Sequence, residues 1–153
     1  MKKLILVVLF LSTALLPIQA RAEFKVPVSK ETGQWKVELL APSNNKDLAQ
    51  GDKGKYEVYS LLVTNKRGKV YNVHVGAFRD EQGTSKMSGL APQMKSDEIV
   101  KGQTFSFENF PVKTGTNKLE FVITWNDDPI KLMDGKKVSG RPFKETVVFD
   151  HIN

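Results

Sequence analysis

Apolar residues along most of this chain recur at every second position, in short runs closed by Gly, Pro, Asn or Asp. That period marks strands joined by turns, because successive strand side chains point to opposite faces. The alternation predicts strands over residues 24–28, 34–40, 56–64, 69–79, 104–110, 118–125 and 143–150, with another starting at 84–87. Trp35, Val37 and Leu39 share one face of the second, Tyr71, Val73, Val75 and Ala77 one face of the fourth, and Leu119, Phe121, Ile123 and Trp125 one face of the strongest. Residues 56–64 are apolar on both parities, which predicts a central strand covered on both faces. Residues 65–68 and 80–83 each end in Gly and predict hairpin turns with a positive φ there, so that residues 56–87 read as a meander. Pro27, lacking an N–H, points to a sheet edge. Residues 88–98, with Gly89 and Pro92, predict a long surface connection, and residues 130–133 a short helical turn or a bulge.

These elements predict an all-β fold: an antiparallel, two-sheet, immunoglobulin-like β-sandwich of about seven or eight strands, one domain over residues 23–153. A small closed barrel is the alternative. Trp35, Phe105, Phe107, Phe121 and Trp125 are the expected core aromatics. The Pro-x-x-x-Gly-x-Asn lead from Pro111 to Asn117 into an alternating strand resembles turns of bacterial immunoglobulin-like modules; the resemblance implies fold and not activity.

The start of the chain has a different character. Met1, Lys2 and Lys3 precede an apolar run over residues 4–16, Pro17 breaks it, and Ala20-Arg21-Ala22 forms an A-x-A cleavage site. This is the pattern of a cleaved signal peptide over residues 1–22, and it predicts a secreted, extracytoplasmic protein. The run is shorter than the ~20 residues a membrane-spanning helix needs, so no span is expected in the mature chain. Cysteine is absent, which excludes disulfides, Cys-type zinc sites and an N-terminal lipid, and leaves packing to supply stability. Half of the formal charge of +6 comes from Lys2, Lys3 and Arg21 in the leader, and the remaining lysines are mixed with acids, so nucleic acid is not an expected partner.

Candidate chemistry is sparse. The chain has two histidines, and neither is accompanied by a Gly-x-Ser-x-Gly elbow, so no catalytic residue is assigned. His74 with Met87 and Met94 pairs imidazole with thioether sulfur, a donor set that suits copper, and defines the candidate metal site. The structural alternative is a half-exposed strand histidine with methionines packing a loop. Asp127, Asp128 and Asp134 are a weaker candidate for Ca²⁺, although Asp at such positions ordinarily serves turns. No other cofactor is expected. Tyr59, Leu61 and Val63, on the second face of a central strand, mark an interface if the domain leaves that face uncovered.

The reading is therefore a non-catalytic binding module of the cell envelope or exterior, whose partner is an envelope polymer or a secreted protein. Its expected contact surfaces are three long loops, at residues 43–54, 88–102 and 126–142. A copper-binding sandwich and a secreted hydrolase without a visible motif are the alternatives.

Overall fold

A computed structural model describes residues 23–151; the leader expected over residues 1–22 lies outside the described residues. The strands are β1 (Val28–Glu31), β2 (Trp35–Leu40), β3 (Tyr56–Asn65), β4 (Val70–Asp80), β5 (Met87–Ile99), β6 (Thr104–Lys113), β7 (Lys118–Asn126), β8 (Ile130–Lys131), β9 (Lys137–Val138) and β10 (Pro142–Asp150). Two four-stranded antiparallel sheets, β1-β2-β3-β6 and β10-β7-β4-β5, face each other as a sandwich, and β8 and β9 form a separate ribbon. The described residues contain no helix. At the upper end lie the β2–β3, β4–β5 and β6–β7 connections; at the lower end lie β1–β2, β3–β4, β5–β6 and the long β7–β10 segment.

The core is aromatic and spans the sheets. Trp35 of β2 meets Trp125 of β7 edge to face at 5.6 Å, and Phe110 of β6 meets Phe121 of β7 at 6.5 Å, with Phe149 a further 5.7 Å beyond. T-shaped pairs of this kind add to area burial by matching ring edges to ring faces. At the upper end Phe24 closes the core: its ring packs on Tyr59, and its N–H donates to the Tyr59 hydroxyl at 3.1 Å. The expected strand at 24–28 is thus shifted to β1, since Phe24 turns inward and the ladder begins only at Val28, after Pro27.

Three further expectations are corrected. Residues 56–87 are not one meander: β3 pairs with β2 and β6, β4 with β5 and β7, and the chain crosses between sheets at residues 66–69. Gly68 is not among the positive-φ glycines, whereas Gly83, in the true β4–β5 hairpin, has φ 74°. The crossing is made by Asn65, whose side chain is fully buried. Its Nδ2 donates to the carbonyls of Gly68 (3.0 Å) and Ile99 (3.2 Å), and its Oδ1 accepts from Gln34 Nε2 (2.6 Å) and the Arg67 N–H (3.1 Å).

Residues 88–98 are strand, not connection. Leu90, Pro92 and Met94 alternate toward the interior of edge strand β5, and Pro92 falls where the pairing slips between Gly76 opposite Gln93 and Phe78 opposite Gly89. The missing N–H therefore interrupts a ladder already broken by a bulge. Finally, Tyr59, Leu61 and Val63 form the core face of β3 and are buried, so they offer no interface.

Two asparagines reset side-chain parity. Among the described residues, Asn72 and Asn109 are the non-glycine residues with positive φ (49° and 51°). Both sit where the ladder shifts, Asn72 in β4 between Tyr71 and His74, and Asn109 in β6 opposite Ser60. Asparagine tolerates this left-handed conformation better than other side chains. Because of these bulges Val70, not Tyr71, is buried beside Val73, and Phe110 and Val112 occupy the deep core while Phe105 and Phe107 remain at its margin.

Replacing Asn65 with Ala removes four hydrogen bonds at the crossing and strands buried carbonyls. Asn65→Ala is expected to lower stability by about 2–4 kcal/mol in urea unfolding, and Gln34→Ala by about 1 kcal/mol.

Candidate functional site

The residues nominated for copper are spread over β4 and β5. His74 stands exposed on the outer face, opposite Lys95 on one side and Thr124 on the other. Met94 opposes the buried Val75 and packs against the core, on the other face of the sheet. Met87 opposes Asp80, six residues further along β4, or roughly 20 Å away at about 3.3 Å per residue. His74 and Met94 border one shallow depression at the β4–β5 bulge although their parities differ, and the register keeps Met87 away from both. Among the described residues no group of three or more His, Asp or Glu is arranged to hold a metal ion.

Several carboxylates serve local structure, Asp134 of the Ca²⁺ candidates among them. Asp80 Oδ1 accepts the N–H groups of Asn117 and Lys118, both at 3.0 Å, and so fixes the β6–β7 crossover to the β4–β5 hairpin. Glu81 accepts from the Ser88 hydroxyl and from Arg79 at 2.7 Å; these bonds, the first foremost, hold its carboxyl below the ordinary value of about 4.5. Glu31 is lowered in the same way by Lys66. Asp134 Oδ1 accepts the Lys136 N–H at 2.9 Å in a tight turn where Gly135 has φ 84°.

Concave surface includes two shallow depressions on the β10-β7-β4-β5 sheet beside His74, one of about 470 Å³ reaching Phe143 and one of about 290 Å³ reaching Met94. Between the free edges of β1 and β10 runs an apolar groove of about 220 Å³, floored by Phe24, Val28 and Phe149 and flanked by Lys25 and Lys30. A polar notch of about 300 Å³ at the upper end is lined by Arg79, Glu81, Lys113 and Thr116.

The three loops expected to make contacts have separate fates. Residues 88–99 belong to β5. Residues 41–55 are strapped down at the upper end by Asn109, whose side chain accepts from the Ser43 N–H at 2.7 Å and donates to the carbonyls of Ser43 (3.0 Å) and Ala49 (3.1 Å). Residues 127–141, at the opposite end, project. Their root is closed by Asp127 N–H to the Arg141 carbonyl (3.0 Å) and Asn126 Nδ2 to the Gly140 carbonyl (2.9 Å). Gly140 lies so close to this root that a Cβ would come within 2.4 Å of the Asp127 and Asp128 carbonyl oxygens. Above it β8 and β9 make a small ribbon that joins neither main sheet, where a helical turn or bulge was expected.

The ribbon carries the exposed apolar residues. Ile130 is 54% exposed, Leu132 42%, and Met133 at the tip is fully exposed. Of the six large hydrophobic residues exposed among the described residues, these three together with Val100 and Phe143 lie at the lower end, and Tyr56 alone at the upper. Lys131, Lys136 and Lys137 flank the tip and Arg141 lies at the root, with Asp134 as the one acid in residues 130–141. This apolar cluster was not singled out from the sequence; its one signal there is that apolar residues 130, 132 and 133 fall between Pro129 and a lysine pair, off the alternation of the flanking strands.

A family model described as "YozF-like secreted protein" matches residues 19–152. The chain is also similar to the uncharacterized protein YozF of Bacillus subtilis (strain 168), 26% identical over 137 residues that cover 81% of this chain and 78% of that protein. No solved structure matches it.

Gly140→Ala forces the root carbonyls apart and is expected to cost about 1–3 kcal/mol, whereas Met133→Ala at the tip changes stability by less than about 0.5 kcal/mol; urea unfolding of both separates root from tip. Glu31 and Glu81 have lowered folded-state values, so their contribution is present above about pH 4.5 and is lost as pH falls through those values. The Glu31→Gln/Glu81→Gln variant should accordingly lose less stability than the parent between about pH 5 and about pH 3, as read from melting temperature across that window.

Proposed function

The chain belongs to the YozF-like secreted proteins, and from that premise we propose that it works outside the cytoplasm as a non-catalytic binding module that meets its target through the lower end of the sandwich. The observation that carries this reading is the 127–141 ribbon. It holds three exposed apolar side chains on a segment with a rigid root and no place in either sheet. Exposed apolar residues gathered at one end of a secreted domain are ordinarily contact surface. Loops on a rigid sandwich are also the usual place for recognition.

The strand order supports an immunoglobulin-like description of the scaffold. In that description β2, β3 and β6 take the places of strands A, B and E. β10, β7, β4 and β5 take those of G, F, C and C′. Such a scaffold separates the load-bearing core from its end loops, which suits binding.

Protein purified from the culture medium, incubated with isolated cell envelopes at low and moderate salt and then sedimented, tests the reading. Retention is expected, with a loss of at least tenfold in the Ile130→Ser/Leu132→Ser/Met133→Ser variant at unchanged melting temperature, and no loss in His74→Ala. Equal retention of the triple variant and the parent would overturn it.

A further inference from the structure

We infer that the 127–141 ribbon is a membrane-docking element whose target is an anionic phospholipid surface. The inference rests on the binding reading above and names the partner of that site. Two features converge. The first is the arrangement of apolar and basic side chains. Leu132 and Met133 form the tip, Ile130 stands beside them, and Lys131, Lys136 and Lys137 lie immediately behind, with Arg141 at the root. An apolar tip backed by a basic collar matches a bilayer interface, where acyl chains lie beneath a layer of phosphates.

The second is the charge pairing within the ribbon. Lys131 lies directly opposite Lys137 in the β8–β9 register. Like charges at opposed positions destabilise a two-stranded pair, and a short isolated ribbon has little stability to spare. Neither lysine takes part in an ion pair among the described residues. A lipid phosphate between them removes the repulsion. Of the acids elsewhere at this end, Glu31 is paired with Lys66 and Glu98 with Lys69, while Asp97 on β5 takes part in no ion pair among the described residues. Asp134 is turned back onto the Lys136 N–H. Asp127 and Asp128 sit at the root with Arg141 and offset its charge, whereas nearer the tip Lys131, Lys136 and Lys137 face Asp134 alone within residues 130–140.

A purely anionic polymer would satisfy the lysines but not the tip, since nothing in a phosphate chain gains from contact with Leu132 and Met133. A bilayer satisfies both. No helix among the described residues is long and apolar enough to cross a membrane, and docking of this kind needs none. The ribbon enters the interface while the sandwich stays in water.

Vesicle sedimentation is the test, with vesicles of phosphatidylcholine alone or mixed with phosphatidylglycerol. The protein should bind the mixed vesicles and bind phosphatidylcholine weakly. Lys131→Gln/Lys136→Gln/Lys137→Gln should lose affinity on the order of a hundredfold, from about fivefold per charge. Leu132→Asp/Met133→Asp should lose binding, with melting temperature unchanged in both variants. Because the chain has no cysteine, Met133→Cys accepts a single polarity-sensitive dye. Its emission should shift to the blue on mixed vesicles, while the same dye on Gln82→Cys at the upper end should not respond.

Absence of binding to the mixed vesicles, or binding indifferent to the tip and collar variants, overturns the lipid assignment. If cell envelopes still retain the protein in a ribbon-dependent way, the binding reading stands and the partner is a phosphate-bearing polymer or a protein. If envelope retention is also independent of the ribbon, both readings fall.

Discussion

The buried amide of Asn65 fixes how the two sheets stand against each other. It lies where the chain leaves β3 for the other sheet, and it also bonds the carbonyl of Ile99, the last residue of β5, where the chain prepares to return. The backbone of the same residue is held by residues 102 and 103, with Gly102 N–H to the Asn65 carbonyl at 2.7 Å and Asn65 N–H to the Gln103 carbonyl at 3.0 Å. One residue thus ties the two crossings at the lower end and, through Gln34, the start of β2. In a chain without disulfides this polar knot and the aromatic contacts between sheets, Trp35 with Trp125 and Phe110 with Phe121, are complementary: the rings supply cohesion without direction, and the amide supplies direction.

The upper end is organised by similar means to a different effect. Asn109 straps residues 41–55 onto the sandwich, Asp80 ties the crossover to the β4–β5 hairpin, and Tyr59 joins Phe24 to Glu57 through its hydroxyl. Burial and the bond to Glu57 push the Tyr59 hydroxyl well above its ordinary range, so it remains a neutral donor and acceptor. Most long connections are therefore drawn into the body. The lower ribbon departs from this pattern by having a fixed root and a free tip, and the difference in anchoring is what separates a contact surface from a covered one.

Much of the sandwich was legible in the alternation of apolar residues. β2, β7 and β10 were placed to within one residue, because their alternation is uninterrupted and their ends carry turn residues. What escaped was long-range. A hairpin turn and a sheet-to-sheet crossing use the same residue types, and only burial of the Asn65 side chain distinguishes them. The parity shifts at Asn72 and Asn109 need a backbone conformation that leaves no trace in hydropathy, so Tyr71 was expected inside, and Phe105 and Phe107 rather than Phe110 in the core. β5 was hidden by Pro92, which reads as a breaker until the strand is known to be an edge. For the site, the loop itself was anticipated and its character was not: residues 130–133 have too few positions to display a period, and exposure cannot be read from composition. His74, chosen for its chemistry, lies on an outer face beside a depression it shares with Met94 but not with Met87, since donor type in a sequence says nothing about convergence.

Gly140 has a consequence for how such a protein can change over time. The root admits no side chain there without displacing two carbonyls, while Ile130, Leu132, Met133 and the lysines around them bear little of the fold's weight. Sequence change is thereby channelled: the tip can be rewritten for a different surface with almost no penalty in folding, and the pivot cannot. Target preference and structural integrity are held by separate residues, which leaves the first free to drift or adapt while the second stays under constraint.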